Sequence, residues 1–327
     1  MTWRRSAVAA GLLLSLLFGY LASRNVDLGD LRAALAGQDY AYLVPAGLAL
    51  AAGVAVRAWR WQLLFERGSR PPFRFVGNAL LVGYLFNTIL PARAGELARV
   101  QVLGRRAGIS RAQVLGTVVL ERAYDLVVLI ALLAAAAPLL PPVGWVKAAL
   151  VLGAGLAAAL VATGVFVHRH GERAARTLLR PLTILPVIDE QRVGRMAASV
   201  VTGLAAIRIT RLASAAIVLT AASWLLLAAS GWFLLLGTEI DAGFDAALLV
   251  LVATNLALVL PASPAGLGTF EAAAVLALTA YGIEREQALS YALVLHALNA
   301  LPYLALGYVA LGLHLRATER RDLRDPQ

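Results

Sequence analysis

No cysteine occurs in the 327 residues. Disulfides, thiolate metal sites and cysteine nucleophiles are therefore excluded, and no redox compartment follows from the composition. Charge is scarce as well: 15% of residues are charged against 60% hydrophobic. Walker A, dinucleotide-glycine and His-Glu-x-x-His patterns are missing. That argues against ATP-driven transport within the chain and indicates no cofactor, no metal and no catalytic residue. Any energy source would be an ion gradient, a partner or a lipid gradient.

What is there is apolar sequence in long blocks, the composition of an integral membrane protein. A helix needs roughly 20 mainly apolar residues to cross the hydrocarbon core. Blocks of that kind lie near 6–22, 40–56, 113–137, 145–167, 213–237 and 288–315, and two further stretches, 75–104 and 246–281, are interrupted in the middle. The first block has the shape of a signal peptide as well as of a first span, and is read as a retained helix because every later block is membrane. The net charge of +10 sits between the blocks, which fits membrane topology and not a nucleic-acid partner.

Arginines set the orientation, because cytoplasmic flanks collect them. Arg4 and Arg5 put the N-terminus inside, and the slightly acidic segment 23–39 lies outside. The stretch with Arg57, Arg60, Arg67, Arg70 and Arg74 reads as cytoplasmic, as do Arg105, Arg106 and Arg111, so 75–104 enters and leaves on one side as a re-entrant hairpin. Residues 168–211 form a basic cytoplasmic loop, residues 246–281 form a second hairpin opening from the outside, and 316–327 is a cytoplasmic tail. The expectation is one all-α polytopic domain over 1–327, with six crossings, two opposed hairpins and both termini inside the cytoplasmic (inner) membrane. Trp3, Trp59, Trp61 and Trp145 fall near span ends, as interfacial anchors do. His168, His170 and His314 are read as headgroup-level residues rather than metal ligands.

An internal repeat supports the opposed arrangement. GISRAQVLGTVVLERAYDL from Gly108 aligns without gaps on GIEREQALSYALVLHALNA from Gly282, and each is preceded by a Pro-Ala…Gly…Glu tip, NTILPARAGE (87–96) and NLALVLPASPAGLGTFE (255–271). Three crossings separate the copies, so the second is inverted, the build of many secondary transporters, whose substrate site lies at the repeat interface.

A helix break in lipid strands backbone polar groups unless protein or a watery cavity satisfies them. The two tips are therefore candidate binding elements: Asn87, Pro91, Arg93, Gly95, Glu96 and Arg99 in the first, Pro261, Pro264, Gly266, Gly268 and Glu271 in the second. A helix starting after each tip aims amide donors into the membrane, which suits phosphate or carboxylate, and Arg93 and Arg99 add bidentate donors. The competing reading makes Pro and Gly simple kinks, the arginines anchors, and Glu96 and Glu271 helix caps. Glu121, Arg122 and Asp125 lie about ten residues into a span, where charge is costly. The repeat sets His296 and Asn299 opposite Arg122 and Asp125. A buried ion pair locking helices together and a substrate or proton-coupling role both fit this group.

The string LFNTILPARAGELARVQVLGRRAGISRAQVLGTVVLERAYDLVVL, with LPASPAGLGTFEAA, resembles the lysylphosphatidylglycerol synthase transmembrane (flippase-like) family. The resemblance implies a membrane module that translocates aminoacylated phosphatidylglycerol between leaflets, with relatives tied to glycolipid or polyprenyl-lipid pathways. In the bifunctional synthases a soluble aminoacyl-transferase domain follows. None is read in this sequence, which leaves the lipid open. The leading expectation is a flippase for an anionic or aminoacylated phospholipid or a polyprenyl-linked lipid, with a partner enzyme supplying it. The alternatives are a membrane-embedded transferase on a lipid-linked sugar or amino acid, with Glu121 or Asp125 as general base, and a non-transporting partner subunit of a lipid-synthesis complex.

Overall fold

A computed structural model describes residues 13, 16–24, 26–90, 94–142, 144–181, 189–205, 210–258 and 264–322. Among them no strand forms. The helices are α1 (Leu28–Ala36), α2 (Leu43–Leu63), α3 (Phe73–Ile89), α4 (Gly95–Ala107), α5 (Arg111–Ala136), α6 (Gly144–Leu179), α7 (Glu190–Ala205), α8 (Thr210–Leu236), α9 (Phe244–Ala257), α10 (Thr269–Thr279) and α11 (Arg285–Asp322). Local chemistry sets several ends. Asp27 caps α1 by accepting from the amides of Gly29 at 2.7 Å and Asp30 at 3.1 Å, and Ser110 caps α5 by accepting from the Gln113 amide at 3.2 Å. Gly108, with φ of +66°, stops α4 in the left-handed region.

Among the described residues four helical segments are long and apolar enough to cross a membrane: Tyr40–Leu63, Gly144–Val167, Leu212–Leu236 and Arg285–Arg316. Helix α5 has 26 residues and matches them in length, but carries Glu121, Arg122 and Asp125 in its middle. Large apolar side chains such as Val151, Leu152 and Leu156 on α6 and Leu306, Val309 and Leu313 on α11 point outward, which a bilayer would cover.

Two helical hairpins, α3 with α4 and α9 with α10, pack within this frame, each with its own apolar core. Around the first lie Trp61, Phe65, Val76, Leu80, Leu103, Val114 and Val118. Around the second lie Leu133, Leu235, Leu249, Ala274, Leu278, Leu289 and Tyr291. The central pair α2 and α8 joins the halves. Gly53 lets α2 approach to where a Cβ would touch Leu227 and the Ser223 carbonyl at 3.4 Å, and Ser230 donates to the Ala46 carbonyl at 2.8 Å. Helix α11 crosses α3 closely at Gly307, where a Cβ would stand 2.7 Å from the Leu81 carbonyl oxygen.

Two expectations are corrected. The second span does not end near residue 56: α2 runs to Leu63, so Arg57 and Arg60 lie inside it and are not a cytoplasmic flank, Arg60 being fully buried. Its inward face recurs at helical spacing through Ala46, Leu50, Gly53, Arg57, Arg60 and Trp61, and the arginines continue that face because buried carboxylates meet them. Trp61 is no interfacial anchor. It is fully buried, with its indole N–H donating to the Thr117 hydroxyl at 3.0 Å, whereas Trp59 is exposed. Apart from these, the described parts of the basic stretch 168–211 are helical, as the end of α6, broken at Gly171 where φ is +64°, and as α7. His314 is buried on α11. Trp3 and most of 6–22 fall outside the described residues.

Candidate substrate cavity and charge cluster

The two helices that flank the first tip meet closely. The Asn87 side-chain carbonyl accepts the Gly95 amide at 2.9 Å, and a Cβ on Gly95 would stand 1.9 Å from the Gly83 carbonyl oxygen. Only glycine permits that approach. Pro91 and Arg93 lie outside the described residues. Just past the tip, the first turns of α4 present Glu96 and Arg99.

Six charged side chains then converge. Arg60 pairs with Asp125 at 2.5 Å and with Glu121 at 3.4 Å, and also donates to the Thr220 hydroxyl at 2.9 Å. Arg99 pairs with Glu96 and, at 3.1 Å, with Glu121. Arg122 reaches Glu96 at 3.4 Å, Glu121 at 2.7 Å and Asp125 at 3.5 Å. Three guanidinium groups face three carboxylates, so the cluster is neutral. Arg60, Arg99, Glu121 and Asp125 are all buried, where only mutual pairing offsets desolvation. Trp61 supplies a further contact, its ring 4.7 Å from the Arg99 guanidinium carbon.

The second tip is built from glycine and neutral groups. Pro261 lies outside the described residues. Pro264 opens a 3-10 turn in which Ala265 and Gly266 have φ of +58° and +75°. Gly268, at +82°, is followed by α10, and its amide donates to Glu271 at 2.7 Å. The other oxygen of Glu271 lies 2.5 Å from Nδ1 of His296, whose ring stacks at 4.6 Å on Phe270. Asn299 hydrogen bonds one turn back to the Leu295 carbonyl at 2.9 Å.

Between the two halves lies a cavity of about 240 Å³. Of the expected residues, Asn87, Glu96, Arg122, Gly266, His296 and Asn299 line it. Arg99, Glu121, Asp125 and Glu271 stand behind the wall and hold the lining groups. Sequence reasoning missed Arg57, Tyr84, Trp224, Asn255 and Tyr303, which also face the cavity. Tyr84 and Tyr303 stack with centroids 4.5 Å apart. The three-to-four spacing along α2 carried a signal for Arg57 and Arg60; nothing local marked the two tyrosines. Among the described residues no cluster of three or more His, Asp or Glu could hold a metal ion.

A bundle that is helical throughout its described residues, with a chamber of mixed lining between two hairpins and an outward apolar surface, is a multi-pass membrane protein. Within that class, the family description "Lysylphosphatidylglycerol synthase TM region" matches residues 8–307, and the chain belongs to that family. A curated protein named "Glycosyltransferase AglD", from Haloferax volcanii, is 29% identical over 124 residues, covering 38% of this chain and 20% of that protein. The chain thus spans about a fifth of the length of the curated relative it matches.

Proposed function

We propose that the chain moves a phospholipid or lipid-linked substrate between leaflets, the headgroup passing through the cavity between the hairpins. One observation carries this: a cavity of mixed lining, in which arginine, histidine, asparagine and tyrosine stand among leucines and Phe270, inside a helix bundle whose outer surface is apolar. Polar lining at membrane depth is costly unless a polar ligand or water uses it.

Six crossings and two opposed re-entrant hairpins are part of the same reading, with both termini on the cytoplasmic side of the inner membrane. Helices of 17 and 13 residues in the first hairpin and 14 and 11 in the second fall short of the roughly 20 needed to span. The inverted repeat is supported by matching detail. Gly108 and Gly282 both take positive φ, three residues before helices that begin at the aligned Arg111 and Arg285. Each tip glutamate also meets the aligned position of the following helix, Glu96 on Arg122 and Glu271 on His296. Arg93, beside the first tip, remains a proposed headgroup contact.

The test is reconstitution of the pure protein into vesicles carrying a fluorescent phospholipid in both leaflets, with a membrane-impermeant quencher added outside. Loss of signal beyond the outer-leaflet share, reduced in Asn299→Leu and Arg93→Ala, is expected. Loss confined to the outer leaflet for several headgroups would sink the reading. The partial likeness to a protein named as a glycosyltransferase favours one second reading, a transferase on a lipid-linked sugar. That activity would release product in detergent with no vesicle present.

A further inference from the structure

The charge cluster leaves one arginine of the cavity wall over. Arg57 sits one turn before Arg60 on α2 and lines the cavity. The six ion-paired groups already sum to zero. Among the described residues no carboxylate comes within ion-pair distance of Arg57. Its Nε and one terminal nitrogen are sealed from solvent and carry no hydrogen bond. The guanidinium carbon lies 4.2 Å from the centroid of the Trp224 ring, and the groups that act on it electrostatically are Tyr84, which also hydrogen bonds to it, then Asp125 and Tyr303, with Glu121 also within its field. A guanidinium stays charged at any pH a protein meets and presents a rigid fork of donors that matches phosphate oxygens. One with no carboxylate of its own in contact is costly at membrane depth, and an anion in the cavity lowers that cost.

We propose that Arg57 is the anion anchor of the cavity and that the ligand it takes is a lipid phosphodiester bearing a single negative charge. This rests on the reading that a lipid headgroup enters the cavity, and it names the headgroup's chemistry. Arg122, the other arginine of the wall, is already engaged by Glu96, Glu121 and Asp125. One unpaired guanidinium balances one charge. The second charge of a phosphomonoester or a pyrophosphate would find no further arginine free of carboxylates in the described wall, and Glu96 lines the same cavity. The neutral donors and acceptors Asn87, Asn299, Tyr84 and Tyr303 suit the hydroxyls or esters beyond the phosphate.

The experiment measures binding, separately from transport. The full chain in detergent is titrated with short-chain phosphatidylglycerol, phosphatidic acid, diacylglycerol and inorganic phosphate, with tryptophan fluorescence as the readout because Trp224 lies against Arg57. Phosphatidylglycerol is expected to bind at least tenfold tighter than diacylglycerol or inorganic phosphate, and phosphatidic acid no tighter than phosphatidylglycerol at pH 8. Arg57→Gln lowers phosphatidylglycerol affinity at least tenfold and leaves diacylglycerol unchanged, and Arg57→Lys, which keeps the charge without the fork, falls between. Unchanged phosphatidylglycerol binding in Arg57→Gln, or an equal loss for diacylglycerol, overturns the anchor. Tighter phosphatidic acid overturns the single charge, and equally tight inorganic phosphate overturns the lipid source. If Arg57→Gln does not fold, Arg57→Lys decides, and wild-type affinity there is the overturning result. Arg57-dependent binding without movement in vesicles would sink the transport reading and leave the anchor standing.

Discussion

Two matched contacts face each other across the cavity and differ in chemistry: Glu96 meets Arg122 at 3.4 Å in the first half, and Glu271 meets His296 at 2.5 Å in the second. Arginine is permanently charged, so the first half surrounds its arginines with carboxylates until the charges cancel. Histidine can be neutral or charged, and the second half surrounds it with Phe270 and a capped helix start. The first half is therefore held by a charge balance in which no member can be dropped. The second is held by hydrogen bonds that tolerate the loss of one.

The harshest way to break that comparison is Arg60→Leu. The substitution leaves Asp125 with Arg122 alone at 3.5 Å and the buried cluster with an excess negative charge, and breaking a buried ion pair costs about 3–5 kcal/mol. The variant is expected to lose most of its monodisperse protein in detergent at temperatures the wild type survives, as read by size exclusion after heating. Wild-type heat resistance would mean that the cluster is not what holds α2 to α5.

Next in size is the contrast between the glycines of the two tips. Gly95→Ala drives a methyl into the Gly83 carbonyl at 1.9 Å, an immovable backbone atom, and is expected to cost about 3 kcal/mol, the upper end of ordinary overpacking. Gly266→Ala meets the end of the Leu258 side chain at 2.2 Å, which can turn away, and otherwise suffers only from its positive φ, about 1–2 kcal/mol. Heating both variants beside the wild type checks the order, and equal losses would show that the two tips are packed alike.

How much of this was legible beforehand follows from which signals are local. Breaker residues mark a tip wherever they occur in an apolar run, so Asn87 to Glu96 and Pro264 to Glu271 could be read from proline and glycine alone. Glu121, Arg122 and Asp125 stood out because charge in a span needs a reason. Arg57 and Arg60 did not stand out, because arginine beside an apolar block is the ordinary mark of a cytoplasmic flank, and the partners that turn them into interior residues, Asp125, Thr220 and Trp224, lie far along the chain. Trp61 misled in the same way. At a span end a tryptophan reads as an anchor until the helix is known to continue to Leu63. Which residues face the cavity and which stand behind it was beyond sequence, since Arg99 and Arg122 both bind the Glu96 and Glu121 carboxylates yet only Arg122 reaches the lining.

The smallest expected effect sharpens the comparison most. His296→Asn removes the ring from Glu271 but leaves that carboxylate its bond from the Gly268 amide at 2.7 Å, so the loss should be near that of one hydrogen bond to a charged group, about 1–2 kcal/mol. Arg122→Asn at the aligned position leaves Glu96 to Arg99 alone and gives the six-membered cluster an excess negative charge, so it should be the more damaging of the pair in the same heating assay. If His296→Asn proves as harmful as Arg122→Asn, the second half is held by a charge balance too. The asymmetry between the halves would then be one of residue type and not of mechanism.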